Sequence, residues 1–506
     1  MSRAKPNRRA VVGGLTALGG LAAAAAPRAA ERRPNIVFFM GEGLRADEFG
    51  FMGNRLLKTP HMDALAREGT VFRDAFVTNA LCLPSRASFL TGAYSHTTGA
   101  TTNDEAVLPK SFPVVSDLLR QAGYETAFVG KSHVSGALLD RPWDYYFGFN
   151  GQADYLNPVV TERTVGGEGV TRTYRNTYVD DLLTDRAAAW VRTRTAQKPF
   201  CLFLWFYAPH APFYRPRRML DRFNGAKIPV PADFDEDLGD YAGKPRGVAH
   251  ANNKIGTSAV FSDDPRSLEE LVKDHYVGVE ANDENVGQVL GALKANGLMD
   301  DTLVLLSSDH GFFLGEHTFY DKRLMYEPSI RVPMIVRYPR AVKAGQTRAE
   351  MVLNIDVAPT LLQFAGLPVP STVQGRSFAG LAKGEADPDW RKDWLYEYYE
   401  YPGYENVRPH RGVRTERYKY IHYFTDPQEF ELYDLRDDPG EDRNLYGRPE
   451  AAELTVRLAA RLEALRRETG DAYVYKPSRY PRPSVVIDPP TTIPQPWRPQ
   501  SVEPRR

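Results

Sequence analysis

Asn35-Ile36-Val37-Phe38-Phe39-Met40-Gly41-Glu42-Gly43 is an apolar run that stops at a glycine and a single carboxylate. Without polar alternation, such a run reads as a strand buried on both faces, the setting of a parallel sheet. Runs of similar texture recur at 126–129, 200–207, 303–306 and 334–336. Amphipathic stretches with helical spacing at 61–67, 114–121, 180–195, 268–295 and 358–365 fit between them. This alternation predicts an α/β fold, a mostly parallel sheet sandwiched by helices.

Working outward, 506 residues exceed one small core, so a large domain plus a smaller one is expected. Residues 1–31 read as a twin-arginine-like export signal: Arg8-Arg9, a short Ala/Gly/Leu-rich stretch at 11–26, then Ala29-Ala30. That reading puts the protein in a bacterial periplasm or outside the cell. No other stretch reaches membrane-spanning length. Residues 32–385 are the expected catalytic domain and 386–470 a smaller α+β subdomain. In the latter, strand-like 418–423 and 430–433 and a helical 452–468 predict an antiparallel sheet plus one helix. Residues 471–506 form a proline-rich tail.

The 64 Lys and Arg balance 64 Asp and Glu, so nothing draws the whole chain to nucleic acid or an anionic membrane. Anion binding must be local. Two cysteines, Cys82 and Cys201, rule out a disulfide framework and leave one bond between them as the only possible pairing.

Ligands of an open parallel sheet gather beyond the carboxyl ends of its strands. Glu42 follows the first run, Lys131 and His133 the second, His210 the third, and Asp309-His310 the fourth. Each alone reads equally well as a helix cap or loop residue, but four such clusters in one sheet converge on one site.

The segment Cys82-Leu83-Pro84-Ser85-Arg86-Ala87-Ser88-Phe89-Leu90-Thr91-Gly92 resembles the signature of the formylglycine-dependent (type I) sulfatases of the alkaline phosphatase superfamily. In that signature, Cys-x-Pro-Ser-Arg followed by Leu-Thr-Gly, a formylglycine-generating enzyme oxidises the cysteine to 3-oxoalanine. Pro84 and Ser85 suit a helix start, where free amides and the dipole favour an anion near residue 82. The resemblance runs from Pro34-Asn35-Ile36-Val37 to Leu432-Tyr433-Asp434-Leu435 and Asn444-Leu445. Between them lie Gly130-Lys131-Ser132-His133, Ala208-Pro209-His210, Ser308-Asp309-His310-Gly311, and Lys322 ahead of Tyr326-Glu327 and Arg331-Val332-Pro333.

The resemblance implies an alkaline-phosphatase-like fold and hydrolysis of sulfate esters. It further implies a divalent metal, calcium first and magnesium or manganese next, held by Glu42, Asp309, His310 and the modified Cys82. Arg86 and Lys131 would hold the formylglycine hydrate, with Asp309 as its base. Lys322 and His210 would bind sulfate and protonate the leaving alcohol, and His133 would take the second proton. Residues 397–402 and 407–415 resemble bacterial polysaccharide sulfatases similar to N-acetylglucosamine-6-sulfatases, which implies a sulfated glycan rather than a small sulfate ester, with His410 at the substrate. Two alternatives stand beside this: a phosphodiester or phosphonate monoester hydrolase of the same superfamily, and a non-catalytic glycan-binding relative.

One position departs from the family pattern. Where the family has Asp followed by Asp or Gln, this chain has Glu42-Gly43, so the metal loses a ligand or takes water. Alternatively, glycine serves a close backbone approach or a positive φ.

Cys82→Ala is expected to abolish sulfatase turnover while the fold persists. Cys201, inside an apolar run, serves as the control: Cys201→Ala or Val keeps activity and costs packing stability only. Turnover assays with melting curves check both, and normal turnover by fully unmodified protein contradicts the role of Cys82.

Overall fold

The computed structural model describes residues 33–103, 108–134, 138, 140–229, 231–234, 243–253, 267–403 and 405–478. The expected export signal and all of the expected tail from 479 onward lie outside the described residues.

The apolar run becomes β1 (Asn35–Gly41), every residue of it buried. It is central in a ten-stranded sheet with β2 (Thr70–Phe72), β3 (Glu125–Lys131), β4 (Tyr145–Phe149), β5 (Val159–Thr164), β6 (Val170–Thr173), β7 (Phe200–Trp205), β8 (Thr302–Ser308), β9 (Met334–Arg337) and β10 (Gln346–Arg348). The spatial order is β10-β2-β9-β8-β1-β7-β3-β4-β5-β6. Strands β8, β1, β7, β3 and β4 are mutually parallel, with Ile36 opposite both Cys201 and Leu303. All five therefore end on the same edge of the sheet.

β9 departs from the parallel expectation: it runs antiparallel to β8, with Met334 opposite Ser307. The connection 309–333 contains a two-residue-strand hairpin and single helical turns at Glu316–Thr318 and Glu327–Ile330 instead of a crossover helix, so the chain re-enters the sheet from the end it left. The apolar run had revealed burial, which does not encode direction. The 200–207 run stops as a strand at Trp205; Phe206 still donates to Met40 O at 2.8 Å before the chain turns away.

Both faces of the sheet are covered. Phe38, Met40, Phe128 and Phe203 pack with Leu83, Ala87 and Leu90 of α1 (Cys82–Thr91). Val37, Phe39, Val129 and Leu204 pack with Val179 and Leu183 of α2 (Val179–Arg192) and Val277 and Val286 of α3 (Leu268–Ala295). The start of α3 is set by a capping box in which Ser267 Oγ accepts from Glu270 N and Ser267 N donates to the Glu270 carboxylate. Among the described residues no helix is long and apolar enough to cross a membrane.

The carboxyl-terminal region holds four antiparallel strands in sequential order, β11 (Asp393–Tyr398), β12 (His410–Thr415), β13 (Tyr418–Tyr423) and β14 (Glu429–Asp434), with α4 (Ala452–Glu468) against them. Trp394, Tyr396, Val413 and Ile421 belong to the same apolar cluster as the α1 face of the large sheet. The described residues from 34 to 478 form one compact unit. β11 also reaches toward the carboxyl ends of the large sheet through polar groups. Tyr396 Oη accepts from Ala80 N at 3.1 Å and donates to Arg323 O at 2.7 Å. Glu397 Oε1 accepts from Ser95 N at 2.5 Å, and Glu397 Oε2 faces His96 Nδ1 at 2.7 Å.

The His96 Nε2 atom lies 3.1 Å from Thr469 O, so both ring nitrogens meet acceptors and the ring is an imidazolium tying α4 to the small sheet. Burial opposes that charge, but the Glu397 carboxylate outweighs it and draws the pKa up to about 9. A group raised above its unfolded value stabilises fully below about pH 6.5 and stops doing so as pH rises through about 9. The shift corresponds to about 3 kcal/mol. Urea unfolding should therefore show wild type losing that contribution between pH 6 and pH 9.5, while His96→Asn starts lower and stays flatter across the same window.

Candidate active site

Five parallel strand ends and the start of α1 bring together most of the expected site residues. Glu42 directly follows β1, Lys131 closes β3, and Asp309 and His310 follow β8. Cys82 is the first residue of α1, and Arg86 lies one turn further along the same helix. Cys82 Sγ sits 3.0 Å from Glu42 Oε1 and 3.4 Å from His310 Nε2. Arg86 Nε donates to Asp309 Oδ2 at 2.9 Å, one terminal nitrogen donates to Lys131 O at 2.6 Å, and the other to Glu42 Oε2. Lys131 Nζ bonds Glu42 Oε1 at 2.9 Å. His210 Nε2 approaches the same oxygen at 3.6 Å. All of these groups are buried, His133 and His210 being the most exposed at 8% and 9%.

Each charge is held by its neighbours. Burial opposes ionisation of Glu42, but Lys131 and Arg86 outweigh it and keep the carboxyl well below its usual range. Burial and the Glu42 charge together push Asp309 up to about 6. Burial, aided by Lys131 and Lys322, lowers His210 to about 4, and burial with Lys131 lowers His133. At Cys82, burial and Glu42 disfavour the thiolate, yet Lys322, Lys131 and His310 prevail and set the thiol well below its ordinary value. Cys201 has only apolar surroundings, and burial pushes its thiol up.

Glu42, Cys82, Asp309 and His310 each offer one ligand atom, all within 4.8 Å of one another. His310 Nδ1 lies 2.8 Å from Gly311 O, which fixes the proton there and turns the Nε2 lone pair to the cluster. Two carboxylates, an imidazole nitrogen and a position-82 atom in one buried pocket fit a divalent cation. Asp309 overcomes burial to draw His310 up to about 9, and a divalent ion bound there would compete with that proton.

Lys322 Nζ is paired with Asp321 Oδ1 at 3.0 Å, and Asp321 also binds Arg323. Asp321 and Arg323 both have positive φ, 80° and 95°, a strained frame around the lysine between them. His410, expected at the substrate, is instead fully buried on β12. Its Nδ1 lies 2.8 Å from Arg408 O, and Tyr396, Tyr398 and Tyr423 pack around the ring, so it belongs to the aromatic packing of the small sheet. The expectation of free amides at the helix start also needs correction. Leu83 N donates to Asn103 Oδ1, Pro84 has no N–H, and Ser85 N already bonds Leu81 O. The cations therefore carry most of the attraction for an anion. Gln152, whose Oε1 accepts from Lys131 at 3.2 Å, was not anticipated because nothing near it in the sequence marks it out.

A family model described as Sulfatase matches residues 34–367. The chain belongs to the sulfatase family. It is a sulfuric ester hydrolase, and membership carries with it, in general, a formylglycine and a divalent metal. A second model, described as N-sulphoglucosamine sulphohydrolase, C-terminal, matches residues 315–468. An N-acetylglucosamine-6-O-sulfatase of Bacteroides thetaiotaomicron is 34% identical, covering 89% of this sulfatase and 89% of its own length. A solved structure, in complex with its substrate D-glucosamine-2-N,6-O-disulfate, superposes with a TM-score of 0.79 at 33% identity over 87% of this chain and 99% of that one. A phosphonate monoester hydrolase from Silicibacter pomeroyi shares the fold, with a TM-score of 0.74 at 24% identity over 87% and 96% of the two chains.

Gly43 bears directly on metal binding in this sulfatase. Its φ is +76°, and its N–H donates to Asp309 Oδ1 at 3.2 Å. A Cβ there would stand 3.2 Å from Phe312 Cδ2 and 3.7 Å from His310 Cε1. The missing side chain thus has a backbone reason: the turn passes through the left-handed region while its amide orients a site carboxylate. Gly43→Asp and Gly43→Ala should each lose about 1 kcal/mol in denaturant unfolding. Calorimetric metal titration of Gly43→Asp should show no gain in affinity; a tighter ion together with an unchanged melting point would establish the missing-ligand account instead.

Proposed function

We propose that this sulfatase removes sulfate from a sulfated glycan built on an amino sugar of the glucosamine type. The observation that carries the reading is identity of about one third, over nearly the whole of both chains, with a relative named for N-acetylglucosamine-6-O-sulfate chemistry. Calcium is the proposed ion, because the oxygen-rich donor set suits a hard cation. Residues 1–31 support export to the periplasm or beyond.

Glu42, Asp309, His310 and position 82 would hold the cation, which would polarise the sulfate, and a formylglycine at position 82 would supply the attacking oxygen. The remaining work falls to side chains of the chain itself. Arg86 locks Glu42 and Asp309 into one orientation, leaving Asp309 Oδ1 and Glu42 Oε1 toward position 82. Asp309, whose Oδ1 is left free of Arg86 on the side of position 82, is the proposed base there. Lys131 and Lys322 neutralise the charge of a sulfate ester. His210 Nδ1 lies 2.5 Å from Ala211 O, which turns Nε2 to the pocket; with Lys322 it would bind the sulfate and protonate the leaving oxygen, and an imidazole that burial lowers to about 4 gives up an Nε2 proton readily. His133, kept neutral by burial and Lys131, accepts the proton released at position 82.

Exhaustive chelation should abolish turnover, and calcium should restore it more fully than magnesium or manganese. On the restored enzyme, kcat/KM for a glucosamine 6-O-sulfate should exceed that for an aryl phosphonate by about a hundred-fold or more. Equal rates would remove the glycan reading, and faster phosphonate cleavage would reverse it.

A further inference from the structure

The loop that carries His210 is built by residues far from it in sequence. Asp180, the second residue of α2, is fully buried and gives one carboxylate oxygen to each of two successive amides: Oδ1 accepts from Tyr207 N at 2.8 Å and Oδ2 from Ala208 N at 2.6 Å. From α3, Asn282 Nδ2 donates to Ala208 O at 2.7 Å. Buried Asn282 Oδ1 has no hydrogen-bond partner among the described residues, so donation to the loop is the bond this amide makes. One turn earlier on the same helix face, Gly278 makes room for the ring of Pro209: a Cβ there would lie 2.8 Å from Pro209 Cβ and 3.2 Å from its Cα. Tyr155 Oη closes the arrangement by donating to His210 O at 2.5 Å. Tyr207 N, Ala208 N and Ala208 O are thereby held by two helices, Tyr207 O accepts from His210 N at 2.9 Å within the loop, and His210 lies two residues beyond Ala208.

We infer that Asp180, Asn282 and Gly278 are positioning residues for His210, fixing through the Tyr207–Pro209 backbone where its Nε2 meets the sulfate ester. The inference rests on the reading of His210 as a substrate-contacting group. A carboxylate is required at 180 because two adjacent N–H groups need two acceptors; an amide of the same shape offers one acceptor and turns a donor against the second N–H. A glycine is required at 278 because any side chain would displace Pro209 and, with it, the imidazole.

A double-mutant cycle on full-length active enzyme tests this. Asp180→Asn should lower kcat/KM on a sugar sulfate about ten- to a hundred-fold in the wild-type background and less than about two-fold in a His210→Ala background. The loss should be smaller on 4-nitrophenyl sulfate, whose leaving group needs little help. Gly278→Ala should behave the same way, and stands in if Asp180→Asn fails to fold by near-ultraviolet circular dichroism. Equal losses in both backgrounds, or no loss from either variant, would overturn the positioning role. Full activity of His210→Ala alone would instead show that the reading of His210 is wrong, and the positioning role would fall with it.

Discussion

The buried guanidinium of Arg86 is the constraint on which the rest of this molecule depends. With no exposed surface, it donates to Glu42, to Asp309 and to the backbone of Lys131, and so joins the ends of β1, β3 and β8 to the first turns of α1. Ionised groups removed from water are tolerated only when each finds compensation in its neighbours. Two carboxylates without Arg86 would repel each other in a medium that screens little, and Arg86 without them would be an unpaired buried cation. The fold therefore cannot keep half of this set. The Trp205 ring, 5.4 Å from the guanidinium carbon, adds an apolar wall that keeps water away from the pairs.

Parallel strands make this concentration of charge possible. Five of them finish on one edge, so groups supplied by residues 42, 131, 210, 309 and 310 converge although the chain visits them far apart. Each sits within a few residues of a strand that is locked on both sides, which limits how far it can drift. Lys322 is anchored differently, since it lies on no central strand. There the chain is held by bonds from outside the sheet, Asn253 donating to Lys322 O and Tyr396 to Arg323 O, and by the Asp321 bridge to Lys322 and Arg323.

Legibility followed the nature of each signal. Apolar runs at 36–40, 126–129 and 303–306 revealed buried strands because burial on two faces leaves no polar alternation to confuse them. Helix 268–295 was readable from its helical spacing, and the Ser267–Glu270 capping box fixes the start that the spacing marks. Direction was not readable at 334–337, since it depends on what the preceding connection contains. The first two strands of the small sheet, at 393–398 and 410–415, were hidden by Tyr, Arg and His that are buried through hydrogen bonds and ring stacking rather than apolarity. Asp180 and Asn282 left no trace because they act on backbone groups 27 and 74 positions away.

The Tyr396 hydroxyl has a consequence for how such an enzyme can change. One oxygen takes the amide of Ala80, which leads into Cys82, and gives its proton to the carbonyl of Arg323, which follows Lys322. The neighbouring Glu397 gathers the amides of Ser95 and His96 just past α1. The small sheet is therefore a jig for the reactive centre and not an appended module. Exchanging it wholesale for that of another family member would carry preferences for new substrates only if the loops around 80 and 323 travelled with it, so inheritance of specificity in this lineage is tied to coordinated change across distant stretches of the gene.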